Sequence, residues 1–213
     1  IRNNEEIKVY IKQADMSLVA LGYTEHSFAH VTKCALVAGE ILSQLGYDER
    51  TIELAKIAAY MHDIGNVINR VDHAQSGAVM AFRILDKLGM PAEDISAVIT
   101  AIGNHDEHTA YPVNAIAAAL ILADKCDVRR SRVRNPRSIA FDIHDRVNYA
   151  VEKADLVTDK EERKIVLKLE INTEICAVID YFEIFMERML LCRKASDFFK
   201  MHFSLEINGQ AIM

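Results

Sequence analysis

Through about residue 127 the apolar positions of this chain recur every three or four residues, which predicts a succession of helices. In FAHVTKCALVAGEILSQLG, the residues Val31, Cys34, Ala38, Ile41, Leu42 and Leu45 form one stripe, and Gly46 ends it. Thr51 is placed to cap a second helix that runs to Asp63 and is stopped by Gly65. A third is predicted over residues 75–88, closed by Gly89, and a fourth from Pro91 to about Gly103. After the loop NHDEHTAYP, Asn114 precedes nine apolar residues, Ala115 to Ala123. A helix that is apolar on every side belongs at the centre of a bundle.

Beyond residue 128 the pattern changes. RRSRVRNPR places five arginines in the nine residues from Arg129 to Arg137, with no acid among them. A short helix is predicted near residues 144–153. Two strands follow, over residues 154–158 and 164–173, where KIVLKLEINT alternates at period two and KEER supplies a hairpin turn. A long amphipathic helix over residues 175–200 and a last strand in HFSLEINGQAIM complete the chain. The fold class read from this pattern is mainly α. A helical bundle covers residues 1–128, an Arg-rich connector residues 129–148, and a small α+β subdomain of β-β-α-β order residues 149–213.

Composition narrows the function classes. At 213 residues, 51% hydrophobic and 26% charged, the chain can bury a sizeable core. A net charge of −6 argues against a surface built for nucleic acid. No window approaches the roughly 18 unbroken apolar residues of a membrane span, and IRNNEEIKVY lacks a signal-peptide core. The four cysteines are far apart in sequence and form no C-x-x-C pair, so reduced thiols and a cytoplasmic location without membrane contact are expected. The long amphipathic helix can cover the C-terminal sheet or serve a homodimer.

The candidate chemistry lies in the helical half. Six of the eight histidines fall between residues 26 and 108. His30 shares a stripe with Cys34 and Ile41, His62 and Asp63 end an apolar helix, His105 follows a helix terminus, and Asp124 follows the nine-residue apolar run. Each taken alone has a plain account as a hydrogen-bonded core residue. Together they aim imidazoles and carboxylates inward from separate helices, the way bundles build metal sites. Mixed nitrogen and oxygen donors suit manganese, iron, zinc or cobalt better than magnesium. A divalent cation would also explain why Asp63 and Asp124 tolerate burial.

This H…HD…D order resembles the HD superfamily of metal-dependent phosphohydrolases, over about residues 20–128. The resemblance implies an HD-domain helical bundle in which His30, His62, Asp63 and Asp124 bind metal, His26 being a second choice for the first histidine. HDIGNV followed by HAQSGAVMAFRIL, with His73, Gly77 and Ala78, is similar to the HD-GYP branch, as is HDEHTAYP. Asn66, Asp106 and Ala110 depart from that branch. The similarity implies one or two ions, with His73 and His105 as added ligands and Asp63 bridging; it does not imply that branch's cyclic-dinucleotide substrate. The implied reaction is hydrolysis of a phosphoester of a nucleotide or other phosphorylated small molecule by metal-activated water. Asp63 would hold the attacking hydroxide, Lys33 and Lys125 could contact phosphate, and Arg129, Arg130 and Arg132 offer forks for substrate phosphate. Two other functions share the scaffold, a di-iron oxygenase and a non-catalytic nucleotide-sensing module.

Overall fold

The computed structural model describes residues 1–212. Its first helix, α1 (Glu5–Ala20), opens on the Asn4 side chain, which accepts from the Ile7 amide at 3.1 Å. Ile7, Ile11, Ala14 and Leu18 bury one face, and α1 packs on the 3-10 turn Ile64–Val67. The remaining bundle helices are α2 (Phe28–Leu45), α3 (Glu49–Met61), α4 (His73–Lys87), α5 (Ala92–Gly103) and α6 (Ala115–Lys125). Gly46 adopts the left-handed conformation that ends α2.

Two predicted helix starts move. The cap of α3 is Asp48, whose carboxylate accepts from the Thr51 amide and hydroxyl; Thr51 sits where the cap's target amide must be, three residues on. Helix α4 begins at His73 rather than residue 75, after Asp72 in the left-handed region. The second predicted helix also ends earlier, at Met61, so that His62 and Asp63 lie on the turn leaving it.

Helix α6 is buried from Ile116 to Lys125 and belongs to two cores. Ala117, Ala119, Leu120 and Ala123 join the bundle core, where α6 packs on α2, α3 and α5, whereas Ala118, Ile121 and Leu122 face the C-terminal layer. That layer consists of α7 (Ile143–Ala150), β1 (Val151–Asp159), β2 (Lys164–Ile171), α8 (Val178–Phe198), β3 (His202–Ile207) and β4 (Gln210–Ala211), with sheet order β1-β2-β3-β4. The predicted β-β-α-β order is present, with β4 added through a tight turn in which Asn208 and Gly209 both have positive φ. The short helix ends at Ala150 and the first strand takes over at once. Strands β2 and β3 are parallel, and α8 is their crossover. Ile165, Leu167, Leu169 and Ile171 face α8 at period two. Among the described residues, no helix is long and apolar enough to cross a membrane.

One close approach fixes the geometry that matters below. A Cβ built on Gly65 would lie 2.0 Å from the His73 carbonyl and 2.6 Å from the Gly77 amide. Only glycine lets the turn after Asp63 touch the start of α4. Gly65→Ala should therefore destabilise the protein by about 3 kcal/mol or more, above the usual cost of overpacking because backbone must move. Urea unfolding measures this, and a loss below about 1 kcal/mol would contradict the packing.

Candidate metal centre

Six side chains from five chain segments meet at one point beside α6. His30 comes from α2, His62 and Asp63 from the end of α3, His73 from the first position of α4, His105 from just past α5, and Asp124 from α6. His30, His62, His73 and His105 are at most 2% exposed. Nε2 of His30 lies 3.3 Å from Asp124 Oδ1 and 3.7 Å from Asp63 Oδ2. Nε2 of His62 lies 3.2 Å from Asp63 Oδ2, and Nε2 of His73 lies 3.6 Å from Asp63 Oδ1. The His73 and His105 Nε2 atoms are 3.2 Å apart. Thus one oxygen of Asp63 faces His30 and His62 while the other faces His73. Two triads, His30–His62–Asp63 and Asp63–His73–His105, share that carboxylate, and each brings its donor atoms within 4.8 Å of one another.

The outer side of every ring is already spoken for. Nδ1 of His62 lies 2.8 Å from the Ala59 carbonyl, that of His73 3.0 Å from Arg70, and that of His105 2.6 Å from Ile102. A carbonyl can only accept, so these Nδ1 atoms carry hydrogen and Nε2 turns inward. His30 Nδ1 lies 2.7 Å from Asp127 Oδ2. Such outer partners orient ligand histidines in metal sites. His62 Nε2 and Asp63 Oδ2 are themselves buried with no hydrogen-bond partner, their 3.2 Å approach being out of line for one. Two orphaned buried polar atoms pointing at a shared space fit a divalent cation.

The charges agree. Burial raises the Asp63 and Asp124 carboxyls, yet His62 beside the first and Lys125 beside the second outweigh it and hold both well below the usual range. Burial lowers the basicity of His62, but the same two carboxylates push its pKa up to about 10. His73 and His105 are lowered by burial and stay neutral. Cys34 also lies near His30 and Asp124. Its thiol donates to the Ala123 carbonyl at 3.7 Å, and burial pushes its pKa up.

Asp63, His73, His105 and Asp124 of this cluster line a cavity of about 300 Å³. Lys125 is buried in its lining, with Nζ 2.6 Å from Asp124 and 3.7 Å from Glu107. Lys33 is outside the lining: its ammonium sits on the far side of the cluster, 3.0 Å from Asp127 Oδ1. The three arginines expected at substrate phosphate also separate. Arg129 pairs with Asp127 and Glu25, and Arg130 pairs with Glu152 and the Tyr149 carbonyl, both outside the lining. Arg132 is 4% exposed, anchored on the Glu25 and Asp127 carbonyls, and reaches the cavity wall. His26 joins that wall with Nδ1 on the Thr24 carbonyl.

Sequence reasoning had passed over Asp127 as a site residue. It is 1% exposed, and burial, which would raise its carboxyl, is outweighed by the His30 hydrogen bond and by Arg132. Its position three residues after Asp124, at the foot of the same helix, was the available signal. Glu107, which lies within the HDEHTAYP motif, also lines the cavity, as do Arg70, Phe185 and Arg188, which carried no signal of their own.

A model of the HD domain family matches residues 27–184. The chain belongs to the HD-domain family. An uncharacterized protein of Methanocaldococcus jannaschii is 23% identical to this HD-domain chain over 194 residues, covering 80% of the chain and 74% of that protein. Ribonuclease Y of Chloroflexus aurantiacus is 30% identical over 110 residues, 51% of this chain. The HD-domain chain spans only 20% of that ribonuclease's length. The crystal structure of a predicted HD superfamily hydrolase from an uncultured Thermotogales bacterium aligns with a TM-score of 0.47 at 28% identity, covering 58% of this chain and 67% of that one. Membership in the HD family supports a metal-dependent hydrolase type of function, and the His/Asp cluster is one that could hold the metal.

Proposed function

We propose that this HD-domain protein is a metal-dependent phosphohydrolase that cleaves a phosphoester of a nucleotide or other phosphorylated small molecule. The observation that carries this is Asp63, whose two oxygens face opposite sets of ring nitrogens. His30, His62, Asp63 and Asp124 would hold one ion; His73 and His105, with Asp63, would hold a second. Their nitrogen and oxygen donors suit manganese, iron, cobalt or zinc. When bound, a divalent cation makes water acidic enough to ionise near neutral pH and screens the charge on phosphoryl oxygens.

The chain's own groups do the rest. Lys125, kept cationic by Asp124 and Glu107 against the lowering effect of burial, projects into the cavity and can donate to a phosphoryl oxygen. Arg132 adds a fixed positive charge to the cavity wall, its Nε and Nη1 held by the Glu25 and Asp127 carbonyls. Asp127 holds the His30 ring in place from behind. Ribonuclease Y, by its name an enzyme that cleaves RNA, supports phosphoester hydrolysis as the reaction class.

The test is metal analysis of protein purified without chelator, followed by a screen of phosphorylated small molecules with added manganese, cobalt, iron or zinc. Phosphate release that stops on chelation and returns with metal is expected. A metal-loaded protein that consumed oxygen and released no phosphate would sink the proposal in favour of an oxygenase.

A further inference from the structure

The match to the family model stops at residue 184, yet Phe185 and Arg188, one and four residues further along α8, line the cavity. Helix α8 belongs to the C-terminal layer and packs on α6, which carries Asp124 and Lys125. The Arg188 guanidinium lies 4.5 Å from the centroid of the Phe185 ring. Its Nε is 2.6 Å from Glu107 Oε1 but off the line of a hydrogen bond, and is buried without another partner. The same Glu107 oxygen lies 3.7 Å from Lys125 Nζ. One carboxylate therefore stands between two cations, one from the bundle and one from the added layer, and satisfies neither fully.

Charge accounts for what this arrangement does. Four basic side chains (Arg70, Lys125, Arg132, Arg188) and five acidic ones (Asp63, Glu107, Asp124, Asp142, Asp145) line the cavity. The lining is net negative by one until divalent cations enter, and two such ions would make it net positive by three. An anion is then attracted, and a stacked arginine fork beside a lysine matches the oxygens of a phosphoryl group. The cavity, at about 300 Å³, is at the small end of ligand pockets and suits one small molecule.

We propose that Arg188 is a substrate-binding residue contributed by the C-terminal layer, gripping with Lys125 the phosphoryl group of a small phosphomonoester at the metal centre. This rests on the phosphohydrolase reading above.

The experiment uses the full chain loaded with manganese, with inorganic phosphate as the calorimetric probe and the best phosphomonoester of the screen as kinetic substrate. In Arg188→Gln the Kd for phosphate should rise at least about tenfold, and KM should rise more than kcat falls, at unchanged metal content and Tm. Wild-type protein stripped of metal should bind phosphate far more weakly than the loaded form. If Arg188→Gln unfolds, Arg188→Lys takes its place: it keeps the charge without the fork, and its KM should rise at least about threefold. Unchanged phosphate affinity in Arg188→Gln, or unchanged KM in Arg188→Lys, would overturn the assignment. So would equal losses of Tm in Arg188→Gln and Glu107→Gln with binding intact, the mark of a tie between α8 and the loop after α5. Failure of loaded wild-type protein to bind phosphate at all would overturn the phosphohydrolase reading as well.

Discussion

Asp63→Asn is expected to strip the protein of metal and to lower phosphoester hydrolysis by at least about a thousandfold, with the circular dichroism spectrum unchanged. The size of the effect follows from geometry. The Asp63 oxygens serve both triads, so an amide removes the shared charge and turns toward one of the two ring sets an N–H, which has no lone pair for a metal. The fold should survive because Asn66 still reaches the Asp63 carbonyl at 3.0 Å and the helix end is otherwise untouched. Metal analysis and phosphate release on one preparation decide it. An Asp63→Asn protein holding its full metal complement would show that the ring nitrogens are organised around something else.

The second large effect is on pH. In metal-free protein His62 carries a proton up to about pH 10, and because Nδ1 is on the Ala59 carbonyl that proton sits on Nε2, where a ligand bond would form. Asp63 and Asp124 are ionised and His73 and His105 neutral, so none of them has a proton to give up near pH 7.5. Metal binding should therefore release about one proton, and the apparent affinity should rise about tenfold per pH unit from neutrality toward pH 10. Calorimetry in buffers of different ionisation enthalpy counts the proton. The sign for stability is fixed too. The folded-state pKa of His62 is raised above the ordinary 6.5, so its contribution to metal-free stability is complete below pH 6.5 and is lost as pH climbs through about 10. Release of no proton at pH 7.5 would mean that His62 is neutral without metal.

Much of this was written locally in the chain. The nine apolar residues after Asn114 could only be a central helix, and α6 is that helix, capped by Asn114 and shared by two cores. The inward residues of the bundle were legible for the same reason: a polar group on an apolar stripe is conspicuous. What escaped was what depends on distant partners. Asp127 meets His30 across 97 positions, and Glu107 meets Arg188 only once α8 has crossed from β2 to β3. The arginines illustrate the difference. As a run they suggested a phosphate cradle, but Arg129 and Arg130 are engaged by carboxylates elsewhere in the chain, and only Arg132 reaches the cavity. Helix α1 was not singled out, although Ile7, Ile11, Ala14 and Leu18 recur at helical spacing and form its buried face.

The backbone at Asp63, with φ −93 and ψ 0, has a further consequence. In an uninterrupted α-helix neighbouring side chains diverge by about 100° around the axis. His62 and Asp63 address a common point because regular winding gives out at Met61, and Asn66 props the break open by donating to both the carbonyl and the carboxylate of Asp63. Better helix formers at positions 64 and 66 would reward rewinding and swing the carboxylate away from its neighbour. Engineering for robustness therefore collides with catalysis along this short stretch, and thermostabilising libraries should leave it fixed.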